Sequence, residues 1–188
     1  MRWGKHLGAL RRLGPVAMVL ALGLGTAGCF QPLYGNHTLA GGESVRDRLG
    51  GIEVGPIPAQ NGTPMARIAV GLRNALMYNL NNGAAPVAPT HRLTVTVAVT
   101  AANLIVDVAS GRPETAVEGI TATFTLTEIA TQKVVLNAST FARASYDIPG
   151  SAQRFAMQRA TLNAQDRAVT SVAENIRNRL ASFFVAGT

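Results

Sequence analysis

The stretch HRLTVTVAVT, His91–Thr100, decides the fold because apolar and polar side chains alternate along it. Successive side chains of a β-strand point to opposite faces of a sheet, so this alternation predicts a strand with one buried face and one solvated face. The buried face is predicted to contain Leu93, Val95, Val97 and Val99, and the solvated face Arg92, Thr94, Thr96 and Thr100.

Two later stretches repeat this alternation. In ITATFTLT, 120–127, apolar residues at even positions alternate with threonines at odd positions. The stretch VVLNASTFARASY, 134–146, alternates in a similar way. The polar segments ASGRPET and EIATQK, which separate the three runs, are typical of turns. Three alternating runs joined by short turns predict an antiparallel meander.

A short strand and a helix precede the meander. The segment GIEVGPIP, Gly51–Pro58, has spaced β-branched residues, which predict a short strand, and Pro56 favours a position at the sheet edge. Thr63 as N-cap and Pro64 at the first helical position predict where the helix begins, and Asn82 before a glycine predicts where it ends. Its apolar residues recur at spacings of three and four and are Met65, Ile68, Leu72, Leu76 and Leu80.

A long helix is predicted after Pro149 and Gly150, with Ser151 as its N-cap. Its apolar stripe consists of Phe155, Leu162, Val169, Ile176 and Phe183, widened by Val172 and Leu180. The recurrence every seven residues is compatible with a coiled coil. The second seam is mostly polar and consists of Gln158, Gln165, Val172 and Arg179. A helix that lies across the sheet is therefore favoured.

The elements follow one another in the order β-α-β-β-β-α. Because the sheet has one apolar face and each helix has one apolar stripe, the helices are predicted to cover that face. The sequence therefore predicts an α+β domain in which two helices pack on one face of a four-stranded mixed sheet. The threonine-rich face is left to water or to a partner.

The chain start has the pattern of an export signal. Four basic residues precede the apolar run PVAMVLALGLG, Pro15–Gly25, which is too short to span a bilayer core of about 30 Å. The only cysteine, Cys29, follows small residues, and this resembles a bacterial lipobox with Thr26 where leucine is usual. We predict cleavage after Gly28 and a covalent N-acyl and S-diacylglycerol lipid on Cys29. An N-terminal core helix and a free or buried thiol are the alternatives.

The predicted organisation has four parts. Pro32 and several glycines between Cys29 and Gly51 predict an extended tether, and the residues that follow suffice for one domain. The parts are a lipoprotein signal peptide (1–28), a lipidated tether (29–50), a single α+β domain (51–184) and a C-terminal tail (185–188).

Composition argues against nucleic-acid binding, metal binding and catalysis. Four of the 17 basic residues and none of the 10 acidic ones precede residue 29, so the rest of the chain carries +3 rather than +7. His37 and His91 are the histidines of that part, and neither stands in a metal-ligand spacing. Phosphate loops and nucleophile motifs are missing. We therefore expect a protein that is not an enzyme and that binds no metal, nucleic acid or cofactor apart from its lipid.

Both ends of the predicted mature chain resemble one family. The segment FQPLYG after Cys29 and the closing stretch ASYDIPGSAQRFAMQRATLNAQDRAVTSVAENIRNRLASFF, 144–184, are similar to the lipopolysaccharide-assembly lipoprotein (LptE) family, in its alphaproteobacterial branch. The element order also fits that family. The resemblance implies a lipid-anchored protein on the periplasmic face of the outer membrane. Such a protein plugs the LptD barrel, helps it assemble and assists transport of lipopolysaccharide to the outer leaflet.

The resemblance also implies residues that contact lipopolysaccharide. Arg112 and Lys133 lie in the two predicted turns of the meander, where they could reach phosphate groups. If they are only solvated charges, the next candidates are Arg92, Arg143 and the threonine-rich face. Two functions of other classes stay open, namely a lipid-anchored binding or accessory module of another envelope complex and a periplasmic enzyme.

Overall fold

One short parallel pairing and two long antiparallel pairings build the sheet of the computed structural model. The strands lie in the order β1-β2-β3-β4. β1 is parallel to β2, whereas the other neighbours are antiparallel, so the sheet is mixed. The strand bounds are β1 (Ile52–Val54), β2 (His91–Val106), β3 (Pro113–Glu128) and β4 (Val134–Asp147).

In the part of the chain that the structure describes, three helices accompany the sheet, and their bounds are α1 (Val45–Gly50), α2 (Pro64–Asn81) and α3 (Arg154–Ala186). The structure describes residues 44–83, 86, 88–106, 113–148 and 153–186. The predicted α+β architecture is confirmed, because α2 and α3 pack on one face of a four-stranded mixed sheet. The helix α1 is an addition to the predicted order.

The alternation along β2 and β3 gives the sheet its two predicted faces. Val95 of β2 lies opposite Phe124 of β3 in the ladder, and both side chains are almost fully buried. Val97 and Val99 lie on the same face but are only half-buried. The difference arises because β1 reaches only as far as Leu93 of β2, so that β2 has one neighbouring strand beyond that point among the described residues.

The helix α2 begins and ends at the predicted residues. Thr63 is its N-cap, and the hydroxyl oxygen accepts a hydrogen bond from Ala66 N at 3.3 Å. Pro64 occupies the first helical position, and Asn82 ends the helix in the left-handed conformation with a φ of 55°. Met65 in the first turn is half-buried. The rest of the predicted stripe is buried and consists of Ile68, Leu72, Leu76 and Leu80.

The helix α3 has 33 residues and packs against β3, β4 and α2. Its central stripe is buried as predicted and consists of Val169, Val172, Ile176 and Leu180, with alanines at 164, 168, 173 and 181 beside it. Phe155, by contrast, is 86% exposed. Residues 153–159 are all exposed, so the first turns of α3 project beyond the packed layer. The predicted N-cap Ser151 lies outside the described residues.

The sequence pattern does not predict the short helix α1. Ser44 caps it, because its hydroxyl oxygen accepts from Asp47 N at 3.1 Å and its hydroxyl donates to Asp47 Oδ2 at 2.6 Å. Val45 and Leu49, four residues apart, are buried at α2 and α3. Two apolar positions in six residues are too few for a periodic signal. Residues 44–50, which lie in the predicted tether, are thus folded onto the helices.

Candidate functional site

The face of the sheet that points away from α2 and α3 carries many hydroxyl groups. We call the outward-facing residues of β2, β3 and β4 the threonine face. Its exposed hydroxyl-bearing residues include Thr94, Thr96, Thr100, Thr121, Thr123 and Ser139. Thr96 lies opposite Thr123, and the Thr96 hydroxyl donates to the Thr123 carbonyl oxygen at 3.4 Å. A surface with so many donors and acceptors suits a polar ligand.

A depression opens in the threonine face where a glycine stands in the central strand β3. Gly119 pairs with Thr100 of β2 and with Arg143 of β4. A Cβ atom at position 119 would lie 2.6 Å from Thr100 Oγ1, so any larger residue requires Thr100 or the backbone to move. The cavity at this point, which we call the Gly119 notch, has a volume of about 290 Å³. Its lining includes Thr100, Thr121, Ser139, Phe141 and Arg143.

One side of the Gly119 notch is formed by a cation and an aromatic ring. Arg143 Cζ lies 5.5 Å from the ring centroid of Phe141, within the range of a cation–π contact. The other arginine of the threonine face, Arg92, donates from Nε to Glu53 Oε2 at 3.1 Å. The described part of the chain gives Arg143 no such acidic partner. The Phe141 ring is 63% exposed, so the notch offers an apolar surface beside the positive charge of Arg143 and the hydroxyl groups. This combination suits an anionic group on a partly apolar ligand.

Of the three residues predicted first, Cys29, Arg112 and Lys133, the structure describes Lys133. It is exposed in the turn between β3 and β4, where its carbonyl oxygen accepts a hydrogen bond from Glu128 N at 2.9 Å. Cys29 and Arg112 lie outside the described residues. Pro113, which follows Arg112 in the sequence, begins β3, whereas Lys133 comes after the end of β3. The two ends of this 16-residue strand are about 50 Å apart.

His91 lies where β1, β2 and α3 meet. Its ring contacts the Phe184 ring edge-on with 5.4 Å between centroids, and its Nδ1 lies 2.9 Å from Thr90 Oγ1. Burial lowers the pKa of His91 below 6.5; the Glu128 carboxylate raises it in part and the Arg48 guanidinium lowers it further. Within the described ranges, no group of three or more His, Cys, Asp and Glu side chains could hold a metal ion. The geometry makes His91 a packing residue.

Sequence reasoning misses two residues of the Gly119 notch. Gly119 stands at an outward position of β3 just before a run of outward threonines that begins at Thr121, and Phe141 places an aromatic ring between the polar residues Ser139 and Arg143. These departures from the outward polar pattern are the available signal. They become interpretable only when the register of the strands shows that the residues lie side by side.

The helix α3 is long enough to cross a bilayer, but its composition does not suit a membrane. Charged residues interrupt it, among them Arg159, Asp166 and Arg177. None of the helices that the structure describes combines the length and the apolar character of a membrane span.

The fold matches those of solved bacterial proteins. A Caulobacter crescentus CB15 protein described as a lipoprotein candidate is 20% identical, with a TM-score of 0.58 over 77% of this chain and 97% of that chain. Rare lipoprotein B from Shewanella oneidensis is 15% identical, with a TM-score of 0.51 over 72% of this chain and 96% of that chain. No protein-family model and no curated protein matches the chain. At these identities the likeness shows that this chain shares its fold with the two proteins.

Proposed function

We propose that this chain is a lipid-anchored lipoprotein of the LptE type. It plugs the LptD barrel, helps the barrel to assemble and assists transport of lipopolysaccharide to the outer leaflet. The lipid on Cys29 holds the domain at the periplasmic face of the outer membrane. The protein acts by binding rather than by catalysis, so it needs no cofactor beyond its lipid and is not an enzyme.

The observation that carries this proposal is the fold likeness to two bacterial proteins described as a lipoprotein candidate and as rare lipoprotein B, which extends over 97% and 96% of those chains. The sequence adds support at the N-terminus, because small residues precede Cys29 and the segment FQPLYG follows it. A likeness over nearly the whole of each neighbour is what a shared role as an envelope lipoprotein would require.

The Gly119 notch supports contact with lipopolysaccharide. Its Arg143 guanidinium suits a phosphate group, and the hydroxyls of Thr100 and Thr121 suit sugar hydroxyls. The exposed ring of Phe141 offers apolar surface for an acyl chain. Lys133 comes after the last residue of β3, Glu128, and this end of the strand lies about 50 Å from its first residue, Pro113. We therefore assign Arg112 and Lys133 to separate phosphate contacts rather than to one shared phosphate.

Affinity copurification tests the partner. The full chain carries a C-terminal tag in a Gram-negative host and is recovered from membranes in a mild detergent, and copurifying proteins are identified by mass spectrometry. We expect one large outer-membrane barrel protein in near-equal amount. Recovery of a different envelope protein without a barrel would replace this proposal by the accessory-module function.

Charge substitutions test the ligand. We expect Arg143→Gln, Arg112→Asp and Lys133→Asp each to weaken lipopolysaccharide binding by the full chain, with a cost of about 1.5–3 kcal/mol for each lost charge-assisted contact. Arg92→Gln is the matched control, because Arg92 lies on the same face but is paired with Glu53. If Arg143→Gln, Arg112→Asp and Lys133→Asp all bind like the wild type, neither the Gly119 notch nor these two bases contact lipopolysaccharide.

A further inference from the structure

A second depression lies on the helix side of the sheet, between the start of α2, the first half of α3 and the end of β4. We call it the arginine groove. It has a volume of about 560 Å³, and its lining includes Arg67, Tyr146, Arg159, Leu162, Asn163 and Asp166. None of these residues takes part in the threonine face, so the groove is separate from the Gly119 notch.

Arg67 is fixed in the arginine groove by its neighbours. Its Nη2 donates to both carboxylate oxygens of Asp166, at 2.7 and 2.8 Å, and its Nη1 donates to Gln165 Oε1 at 3.3 Å. Gln165 in turn donates from Nε2 to Glu118 Oε2 at 3.4 Å. Glu118 is 5% and Gln165 is 7% exposed. The buried Glu118 and Gln165 thus orient the Arg67 guanidinium at the groove. The charge of this guanidinium compensates the charge of Asp166.

The other polar groups of the groove are mainly donors. Arg159 is exposed, and within the described residues neither its guanidinium nor the Tyr146 hydroxyl has a hydrogen-bond or ion-pair partner. Asn163 Oδ1 accepts from Arg167 Nε at 3.1 Å, which leaves the Asn163 amide N–H groups to face a ligand. With Asp166 already paired, the charge of Arg159 is uncompensated. With two arginines and one carboxylate in its lining, the groove therefore carries a net positive charge.

From this arrangement we propose that the arginine groove binds a phosphate group. A guanidinium donates two parallel hydrogen bonds to phosphate oxygens, and Arg159 is placed to do so beside the Tyr146 and Asn163 donors. Phe155, one helical turn before Arg159, is 86% exposed and would contact the apolar part of a lipid phosphate. A free phosphate would use the donors alone. The site does not depend on the barrel or on the Gly119 notch.

Calorimetric titration tests this assignment on the full chain, recovered from the membranes of a bacterial host in a nonionic detergent. Inorganic phosphate and dihexanoyl phosphatidic acid, a short-chain lipid, are the two probes. We expect Arg159→Gln to lower the affinity about tenfold, because it removes one charge-assisted contact. Arg179→Gln is the control, since Arg179 is an exposed arginine on the same helix, about 30 Å away; we expect its affinity to stay within about twofold of the wild type.

The two probes distinguish the source of the phosphate. Lipid binding at least about tenfold tighter than inorganic phosphate would identify a lipid headgroup, and equal binding would identify free phosphate. Tyr146→Phe is the second variant, because it removes one donor of the groove, and we expect it to weaken binding without lowering the thermal midpoint. Arg67 is not substituted, because it is hydrogen-bonded to the buried Gln165 and its loss would disturb packing. No binding of either probe at about 10 mM, or wild-type affinity in Arg159→Gln, would overturn the proposal.

Discussion

Gly119 lies directly opposite Arg143 in the ladder of β3 and β4, and Arg143 Cγ is 3.8 Å from the place where a Cβ at position 119 would stand. The arginine therefore passes beside a position that has no side chain of its own. On the other side of β3, Thr100 Oγ1 approaches the same position to 2.6 Å. The lack of a side chain at Gly119 thus allows Thr100 and Arg143 to pack close to the backbone of β3. It also leaves the space that forms the notch.

The first prediction concerns this close approach. We expect Gly119→Val to lower the free energy of unfolding by about 1–3 kcal/mol, because the new side chain collides with Thr100 and forces the strands to shift. Gly71→Ala is the control, since a Cβ there meets only Val169 Cγ1 at 3.9 Å, and alanine is favoured over glycine in a helix by about 1 kcal/mol. Urea unfolding measures both. Equal stability of the two variants would show that position 119 has room to spare.

The second prediction separates the two faces of the sheet. Phe124→Asp should unfold the domain, because burying an unpaired carboxylate costs several kcal/mol against a total stability of about 5–15 kcal/mol. Val97→Asp should be milder, since Val97 is only half-buried at the edge of the sheet. Thr96→Asp and Thr123→Asp lie on the exposed face and should stay folded. Circular dichroism with thermal melts ranks the four, and unfolding of the threonine variants would reverse the assignment of faces.

The third prediction concerns Cys29. We expect the mature chain to begin at Cys29 with its amino group acylated and its sulfur bearing diacylglycerol, since several acyl chains together give stable membrane anchoring. Cys29→Ala should accumulate as an unprocessed precursor or as a form released from the membrane. Intact-mass spectrometry of the purified chain reads the modification directly. A free thiol on a chain that starts at another residue would rule out lipidation at this position.

The fourth prediction is a pH dependence carried by His91. Burial lowers its folded-state pKa below 6.5, so the unfolded chain binds a proton more readily than the folded one. The contribution of His91 to stability is therefore present above pH 6.5 and is lost as the pH falls from there through the folded pKa. The loss of stability between about pH 7.5 and about pH 5 should be smaller in His91→Gln than in the wild type. An equal loss in both proteins would assign the pH dependence to other groups.

The architecture was largely accessible from the sequence because its signals are local. Alternation such as Leu93 to Val99 fixes a strand and its faces, and the Thr63–Pro64 pair fixes the start of a helix. The Gly119 notch was not accessible, because it depends on which residues of three strands stand side by side. Half-burial of Val97 likewise follows from the length of the neighbouring strand β1, which β2 itself does not encode.

Depletion of this chain in the bacterium that encodes it tests directly whether the LptD barrel depends on it. Two quantities are measured as the protein disappears, namely the amount of folded LptD barrel in the outer membrane and the amount of lipopolysaccharide at the cell surface. We expect both to fall together, and we expect the wild-type chain to restore both while Cys29→Ala does not. If folded barrel and surface lipopolysaccharide stay constant in cells that lack the chain, it is not the plug and assembly partner proposed here.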